Sequence, residues 1–298
     1  MSFIEILSSS QLLFAALLSG AIYAIVAVGL NMVYGTMRLL NVAHGDVVMV
    51  GAYAAYWLFT SVGLSPLASV FMVSTFCALI GVLLYKVLLK KVMVRPGGAG
   101  RIEANSLLLF FGLSLLIQNL VVSWQTATPR AYQYMDQVYH VSELAMTGNR
   151  LLALTVAFAL CLVITAFLRW NIFGLALRAV IERPDAARIV GVDVERVHLI
   201  SLAIGFGAAG VAGVLISMME QFSPFMGFSL TIAAFIVIIL GGLGNIAGGF
   251  AAAMILGAIE TYGVALTSPN MRSILLYGVF VFAIILLPKG LFYKRFKK

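Results

Sequence analysis

Nine apolar runs, each close to the length needed to cross a lipid bilayer, constrain this chain more than any other feature of its sequence. A bilayer core takes about 20 apolar residues of α-helix, whereas the strands of a membrane barrel are only about 10 residues long. The sequence therefore predicts an all-α fold, a polytopic transmembrane helical bundle of about eight or nine membrane segments with one or more broken or re-entrant helices. The runs cover about residues 12–34, 43–62, 66–89, 104–123, 151–168, 197–219, 227–243, 248–266 and 273–288.

The composition supports a membrane protein and argues against a soluble one. Of the 298 residues, 62% are hydrophobic and only 10% are charged, whereas soluble domains carry about 25% charged residues. The net charge of +8 does not indicate a nucleic-acid partner, because the basic residues form short clusters between the apolar runs. Such clusters are the orientation signal of helical membrane proteins.

The basic residues also predict which loops lie in the cytoplasm. With a cytoplasmic C-terminus and alternating crossings, sixteen of the 19 Lys and Arg residues fall on the inner side, as the positive-inside rule requires. Only Arg130, Arg150 and Arg272 fall outside. The N-terminus is then outside with nine segments and inside with eight. This topology gives an inner loop at about residues 169–196 and an outer loop at about 125–150, whose tyrosines indicate an interfacial belt or a docking surface for an external partner.

We expect one transmembrane domain over residues 1–298. No Lys or Arg precedes Arg38, so the N-terminus lacks the basic region of a cleaved signal peptide and the first apolar run is expected to stay as a span. Cys77 and Cys161 both lie inside apolar runs. They are typical of small buried side chains rather than of a disulfide or a metal pair.

A rare polar cluster, Asn41, His44, Gly45 and Asp46, interrupts the apolar pattern. One histidine and one carboxylate without partners at metal-ligand spacing do not make a metal site, and the sequence shows no catalytic group. The topology places the cluster at the inner membrane face, where the second helix begins. Asn41 is expected to cap that helix, and Gly45 to allow a close helix crossing. We interpret the cluster as a gating element near the cytoplasmic exit; direct contact with cargo is the alternative.

Glycines predict a break between the seventh and eighth apolar segments. Gly205 to Gly210 match a dinucleotide-binding pattern, but they lie inside an apolar run without a preceding strand and are interpreted as packing residues. A second group, comprising Gly241, Gly242, Gly244 and Asn245, instead resembles the broken helices that line transporter cavities.

Glu260 lies beyond this break, inside an apolar run. An intramembrane acid should face the bundle or a cavity. Glu260 is therefore expected either to touch substrate or to form a structural hydrogen bond.

The inner loop contains a short helix, residues 183–191, whose two ends are encoded in the sequence. Pro184 suits the first helical position, Asp185 and Arg188 complement the helix dipole, and Gly191 can close the helix. Two turns are marginally stable alone in water. The helix therefore either docks on a partner or forms a connector on the membrane surface, and the residues leave both open.

This loop resembles the EAA loop of ABC importer permeases, through Asp185-Ala186-Ala187 and Gly191, although aspartate replaces the family's glutamate and no proline follows. A longer ordered set is similar to one branch, the branched-chain amino acid ABC permeases, and covers nearly the whole chain. It comprises Gly20 to Ala24, Gly29 to Gly35, Asn41 to Asp46, Arg178-Ala179, Ala209 to Gly213, Gly241 to Asn245, Gly248 and Glu260.

The resemblance implies a non-enzymatic permease subunit in a bacterial inner membrane that imports branched-chain or other hydrophobic amino acids. It implies a second related permease or a second copy, two cytoplasmic ATPases that use ATP and Mg, and a periplasmic binding protein; this chain would bind no cofactor itself. Urea or a short amide is the alternative cargo, and a stand-alone channel or secondary transporter is the rival class. The implied ATPase-coupling residues are Arg183, Asp185, Ala186, Ala187, Arg188 and Gly191.

Overall fold

The computed structural model describes residues 8–94, 99–141, 144–287 and 290–291, most of them helical. The helices are α1 (Ser10–Met37), α2 (His44–Val62), α3 (Pro66–Leu84), α4 (Lys90–Val94), α5 (Ala99–Gln125), α6 (Gly148–Trp170), α7 (Ile172–Glu182), α8 (Pro184–Ile189), α9 (Val194–Met219), α10 (Gly227–Gly241), α11 (Ile246–Leu266) and α12 (Arg272–Leu286). A π-helical turn, Tyr85–Leu89, joins α3 to α4, and a 3₁₀ turn, Pro269–Met271, precedes α12.

All nine predicted apolar segments are helices, which confirms the helical membrane bundle. Seven described segments are long and apolar enough to cross a membrane, and α2 and α10 are not among them. The sequence had not predicted α7 or a two-stranded hairpin between α5 and α6, formed by β1 (Val138–Val141) and β2 (Leu144–Thr147). Arg95, Glu143 and the basic tail residues Lys289, Lys294, Arg295, Lys297 and Lys298 lie outside the described ranges.

The bundle has two distinct ends, here called the hairpin end and the α8 end. Helix α6 begins directly after β2 and leads directly to α7 and α8, so the two ends are separated by a helix of about 34 Å at 1.5 Å per residue. The first described residues lie at the hairpin end, where Gln11 donates a hydrogen bond to Ala145. Leu291 lies at the α8 end, where its backbone N–H donates a hydrogen bond to the carbonyl of Leu240 near the end of α10. The nine apolar helical segments of the described residues account for this arrangement, because an odd number of passes leaves the first and last described residues at opposite ends of the bundle.

Helices α1 and α9 form the centre of the bundle, and glycines set the separation of α1 from α9 and from α11. A Cβ on Gly29 would lie 2.6 Å from the carbonyl oxygen of Gly205, and one on Gly257 would lie 2.4 Å from the backbone nitrogen of Gly20. The small-residue rows that predicted tight packing therefore do bring backbones together, as packing in lipid requires. By contrast, α12 is peripheral: 11% of the most apolar stretch of its span is buried, against 72% for that of α9.

Candidate translocation site

The polar cluster lies at the start of α2, but this start is in the middle of the bundle. His44 is fully buried and donates from Nε2 to the carbonyl of Val26, in the middle of α1, at 3.0 Å. Its ring also meets Phe206, in the middle of α9, edge to face at 6.1 Å. The expected position at the inner membrane face is therefore wrong. After α1 ends at Met37, residues 38–43 return into the bundle before α2 begins.

Asn41 does not cap α2, contrary to the sequence prediction. The N-cap position is Ala43, which offers no side-chain hydrogen bond, and the buried Oδ1 and Nδ2 of Asn41 have no protein partner. Four of the seven buried side-chain atoms without a partner, among the residues that the structure describes, belong to this segment: both Asn41 atoms, His44 Nδ1 and Asp46 Oδ2. Buried polar atoms are normally paired, so this segment is distinguished by unused hydrogen-bonding capacity.

The predicted close crossing at Gly45 is confirmed, and the partner is the first turn of α10. A Cβ on Gly45 would lie 1.8 Å from the carbonyl oxygen of Gly227. The crossing is fixed by Thr231, whose Oγ1 accepts from the backbone N–H of Gly45 at 2.8 Å and lies 2.9 Å from the carbonyl of Val42. Two short helices therefore begin beside one another inside the bundle, and α2 then runs to the hairpin end while α10 runs to the α8 end.

The side chain of Asp46 places a carboxylate at this crossing. It is 1% exposed, and its Oδ1 accepts from Gln118 Nε2 at 3.0 Å, while Gln118 also donates to Ser114 at 3.2 Å. Asp46 occupies the first turn of α2, where the positive end of the helix dipole favours a negative group. The side chain of Gln118 thereby links α5 to α2.

The predicted break between α10 and α11 is present, and α1 holds it in place. Gly242 and Gly244 adopt left-handed φ angles of 89° and 82°, which glycine adopts without steric cost. Asn31 accepts from the backbone N–H of Gly244 at 2.7 Å and donates to the carbonyl of Asn245 at 3.0 Å. Asn245 then caps α11 through the N–H of Gly248. Gly241 closes the break by packing against Gly248 and Gly249.

Glu260 is buried, as predicted, but it lies apart from the glycine break. It bridges two residues near the hairpin end: Tyr23 donates a hydrogen bond to one carboxylate oxygen, and Arg272 forms an ion pair with the other. A buried charge is tolerated when it is paired and hydrogen-bonded. The contacts support the structural role that the sequence left open beside a substrate role.

Helix α8 presents most of the predicted coupling residues to solvent. Pro184 is at the first helical position, Asp185 and Arg188 form an i,i+3 ion pair at 3.6 Å, and Gly191 adopts a φ of 86°. Arg183, Asp185, Ala186, Arg188 and Gly191 are exposed.

Ala187 is the exception among the coupling residues. It is 2% exposed and packs into the core, since the helical period turns it towards the bundle. Ala187 also lines the cleft beside Ala186, and its contact with a partner protein stays a prediction.

An aromatic cluster closes the hairpin end. Tyr132 lies 4.9 Å from Phe59 and 6.2 Å from Tyr56 between ring centroids, and its hydroxyl lies 2.9 Å from Ser217 Oγ. Burial raises the pKa of Tyr132 to about 12 despite the opposing effect of the Ser217 hydrogen bond. The phenol therefore stays neutral at physiological pH. Among the tyrosines of the outer loop, Tyr132 thus has a structural role in this cluster.

Sequence reasoning missed five polar residues that build these sites. Each is a polar residue inside or beside an apolar run, which was the available signal; Tyr23 and Asn31 stand in segments that carry the family resemblance, but no site role was predicted for them. They are Tyr23, Asn31, Gln118, Thr231 and Arg272.

Comparisons with known proteins cover nearly the whole chain. Residues 12–284 match the family model described as the branched-chain amino acid transport system permease component. The high-affinity branched-chain amino acid transport system permease protein LivH of Escherichia coli is 27% identical over 94% of each chain. BraD of Pseudomonas aeruginosa, with the same description, is 29% identical over 96% of each chain. Among solved structures, PsaBC from Streptococcus pneumoniae in complex with Fab matches with a TM-score of 0.50 and 12% identity over 97% of each chain, which shows the fold alone.

Proposed function

Because the chain belongs to the branched-chain amino acid permease family, we propose that it is the membrane subunit of a binding-protein-dependent ABC importer. The imported substrates are branched-chain or other hydrophobic amino acids, and ATP hydrolysis by partner ATPase subunits drives the import. One observation carries this proposal: the family match extends over nearly the whole chain, through the helix crossing, the helix break and α8. The names of its relatives in Escherichia coli and Pseudomonas aeruginosa support the substrate class.

The exposed surface of α8 supports the ATPase partners. Ile189 and Val190 are 87% and 77% exposed at the end of α8, outside the spans long and apolar enough to cross a membrane. Val190 lines a shallow cleft of about 260 Å³ together with Ala186 and Arg183. Exposed apolar side chains rimmed by charges are typical of protein interaction sites. In the proposed complex this surface meets the ATPase, and the α8 end lies in the cytoplasm.

The crossing of α2 and α10 supports a gate in the translocation path. The first turns of both helices meet inside the bundle, and atoms of Asn41, His44 and Asp46 there have no protein partner. Broken helices near the middle of the membrane recur in transporters, where they form substrate and ion sites. The break from Gly241 to Asn245 forms the second element of the path, nearer the cytoplasm.

The remaining features of the proposed complex follow from the same assignment. A second permease subunit, or a second copy, completes the pore, and a periplasmic binding protein delivers substrate to the hairpin end. This chain binds no cofactor, and ATP and Mg are used by the partner ATPases. The protein lies in the bacterial inner membrane with a cytoplasmic C-terminus, since that orientation places sixteen of the 19 Lys and Arg residues inside.

Ala186→Trp tests the coupling role. Ala186 is exposed on α8, so a bulky side chain there should obstruct ATPase docking without disturbing the fold. In proteoliposomes with the partner ATPases and binding protein, we expect leucine uptake to fall roughly tenfold, as an overpacked contact of about 1.4 kcal/mol implies. Ala186→Ser is the matched control and should transport normally. Normal uptake by Ala186→Trp would refute the coupling assignment. Import of urea but not of leucine by the wild-type transporter would refute the proposed amino acid substrate.

A further inference from the structure

A cavity of about 200 Å³ opens at the hairpin end, between α1, β2, α6, α9, α10 and the start of α12. It is smaller than the roughly 300–1,000 Å³ pockets that hold drug-sized ligands, yet it exceeds the roughly 30 Å³ share of one water molecule several times. Its size therefore suits a small metabolite. None of the predicted site residues lines it.

Two opposite charges on the lining have no ion-pair partner within the described ranges. Arg150 lies in the first turn of α6 and Glu220 directly follows α9, and both residues are exposed. No described salt bridge joins them to each other or to another residue. The third charge of the lining, Arg272, is already paired with Glu260. One cationic and one anionic group are thus available to a ligand.

The backbone around these two charges is held in place. Asn149 Nδ2 donates to the carbonyl of Met218 at 2.8 Å, and Asn149 Oδ1 accepts from the N–H of Arg150 at 2.8 Å. This buried side chain ties the start of α6 to the end of α9, so that Arg150 and Glu220 share one rim. Rigid elements hold binding groups more accurately than loops do.

Aliphatic side chains form the deeper part of the cavity. They include Leu18 and Ile22 of α1, Ile216 of α9 and Leu230 of α10. The floor lies against the helix crossing, because Ile22 is one turn from Val26, which binds His44, and Leu230 precedes Thr231, which binds Gly45. A ligand in the cavity would therefore lie about one helical turn from the proposed gate.

We propose that this cavity is the receiving site for a zwitterionic amino acid with an aliphatic side chain. Arg150 binds the carboxylate, Glu220 binds the ammonium group, and the side chain rests on Leu18, Ile22 and Leu230. An apolar pocket with a few convergent polar groups is the common form of a small-molecule site. The inference rests on the proposed function and deepens it, since it assigns the residues that take substrate from the outer face.

The test measures ligand binding to the purified full chain in lipid nanodiscs, without ATPase or binding protein. Radiolabelled leucine is competed with leucine amide, which lacks the carboxylate, and with 4-methylpentanoate, which lacks the ammonium group. We expect Arg150→Gln and Glu220→Gln each to weaken leucine binding about tenfold, since each loses a charge-assisted hydrogen bond. Arg150→Gln should also abolish the preference for leucine over the amide, and Glu220→Gln the preference over 4-methylpentanoate. Lys91→Gln and Asp136→Asn remove exposed charges elsewhere and serve as controls.

The outcomes separate this inference from the proposed function. Unchanged leucine affinity or unchanged analogue preference in both variants would overturn the cavity assignment, as would equal weakening by the control substitutions. Absence of leucine binding to the wild-type chain, while the assembled transporter still imports leucine, would also overturn the cavity alone. Failure of the assembled transporter to import leucine would refute the proposed function itself.

Discussion

Gly45 and Gly227 set the separation of α2 and α10 at the scale of single residues. The Cβ that each lacks would meet the backbone of the facing segment: 1.8 Å from the Gly227 carbonyl oxygen in one case, 2.8 Å from the Asp46 nitrogen in the other. Backbone atoms cannot move aside as a flexible side chain can. The close approach is what lets Thr231 reach both Gly45 and Val42, so glycine here serves packing rather than an unusual φ angle.

Gly45→Ala should therefore destabilise the protein by roughly 1–3 kcal/mol or more, the usual cost of overpacking. Gly112→Ala is the control, because a Cβ on Gly112 of α5 meets nothing within 4 Å; there alanine should be neutral or slightly stabilising. Thermal unfolding of the purified proteins in detergent measures both effects. Equal melting temperatures for the two variants would contradict the tight crossing.

At the scale of elements, two of the connections between described helices are irregular. Between α1 and α2 the chain turns back into the bundle, and between α10 and α11 it makes a glycine-rich turn with two left-handed residues. Interrupted helices inside a membrane need partners for the freed backbone groups. Asn31 supplies such partners at the second break, since it bonds to both Gly244 and Asn245.

Asn31→Ala should weaken the α10–α11 break. The Gly244 N–H would lose its acceptor, at a cost of about 1–3 kcal/mol for an unpaired buried group, and leucine uptake should fall with the altered turn. Asn119→Ala is the matched control, because Asn119 is exposed and bonds only within its own helix, to Leu115. Denaturation in detergent and uptake in proteoliposomes provide the readouts; equal stability of the two variants would show that Asn31 does not hold the turn.

At the scale of the whole molecule, the nine passes separate an aromatic end with the β-hairpin from an end with the exposed α8. The described basic side chains concentrate at the α8 end, among them Lys86, Lys90 and Arg196. Such asymmetry sets the orientation of membrane proteins. The hairpin end should therefore face outward and α8 the cytoplasm.

Single cysteines test this orientation. Cys77 and Cys161 are buried and free, and replacing both with alanine gives a cysteine-free background. In intact cells with a permeable outer membrane, an impermeant maleimide should label Asp136→Cys in the hairpin-end loop but not Asp185→Cys on α8. Labelling of Asp185→Cys should require permeabilisation of the inner membrane. The reverse pattern would invert the topology and place α8 on the side opposite the proposed ATPase partners.

The sequence by itself determined the helical membrane bundle, the bounds of its apolar segments to within a few residues, the α8 helix and the break after Gly241, but it left eight or nine crossings open. These features are local: apolar runs of bilayer length, capping residues and glycines carry them without knowledge of distant contacts. The prediction that Gly45 permits a close crossing was also correct, because glycine removes steric bulk whichever partner approaches.

Only the tertiary structure decided the depth of the polar cluster, the inward face of Ala187 and the partners Asn31, Thr231 and Arg272. Each depends on contacts between residues far apart in the chain, such as His44 with Val26, Gly45 with Thr231 and Tyr23 with Glu260. An apolar pattern shows that a segment is helical in a membrane, but in lipid it carries little information about which helices meet. Close packing and hydrogen bonding decide that, and both appear only when the helices are assembled.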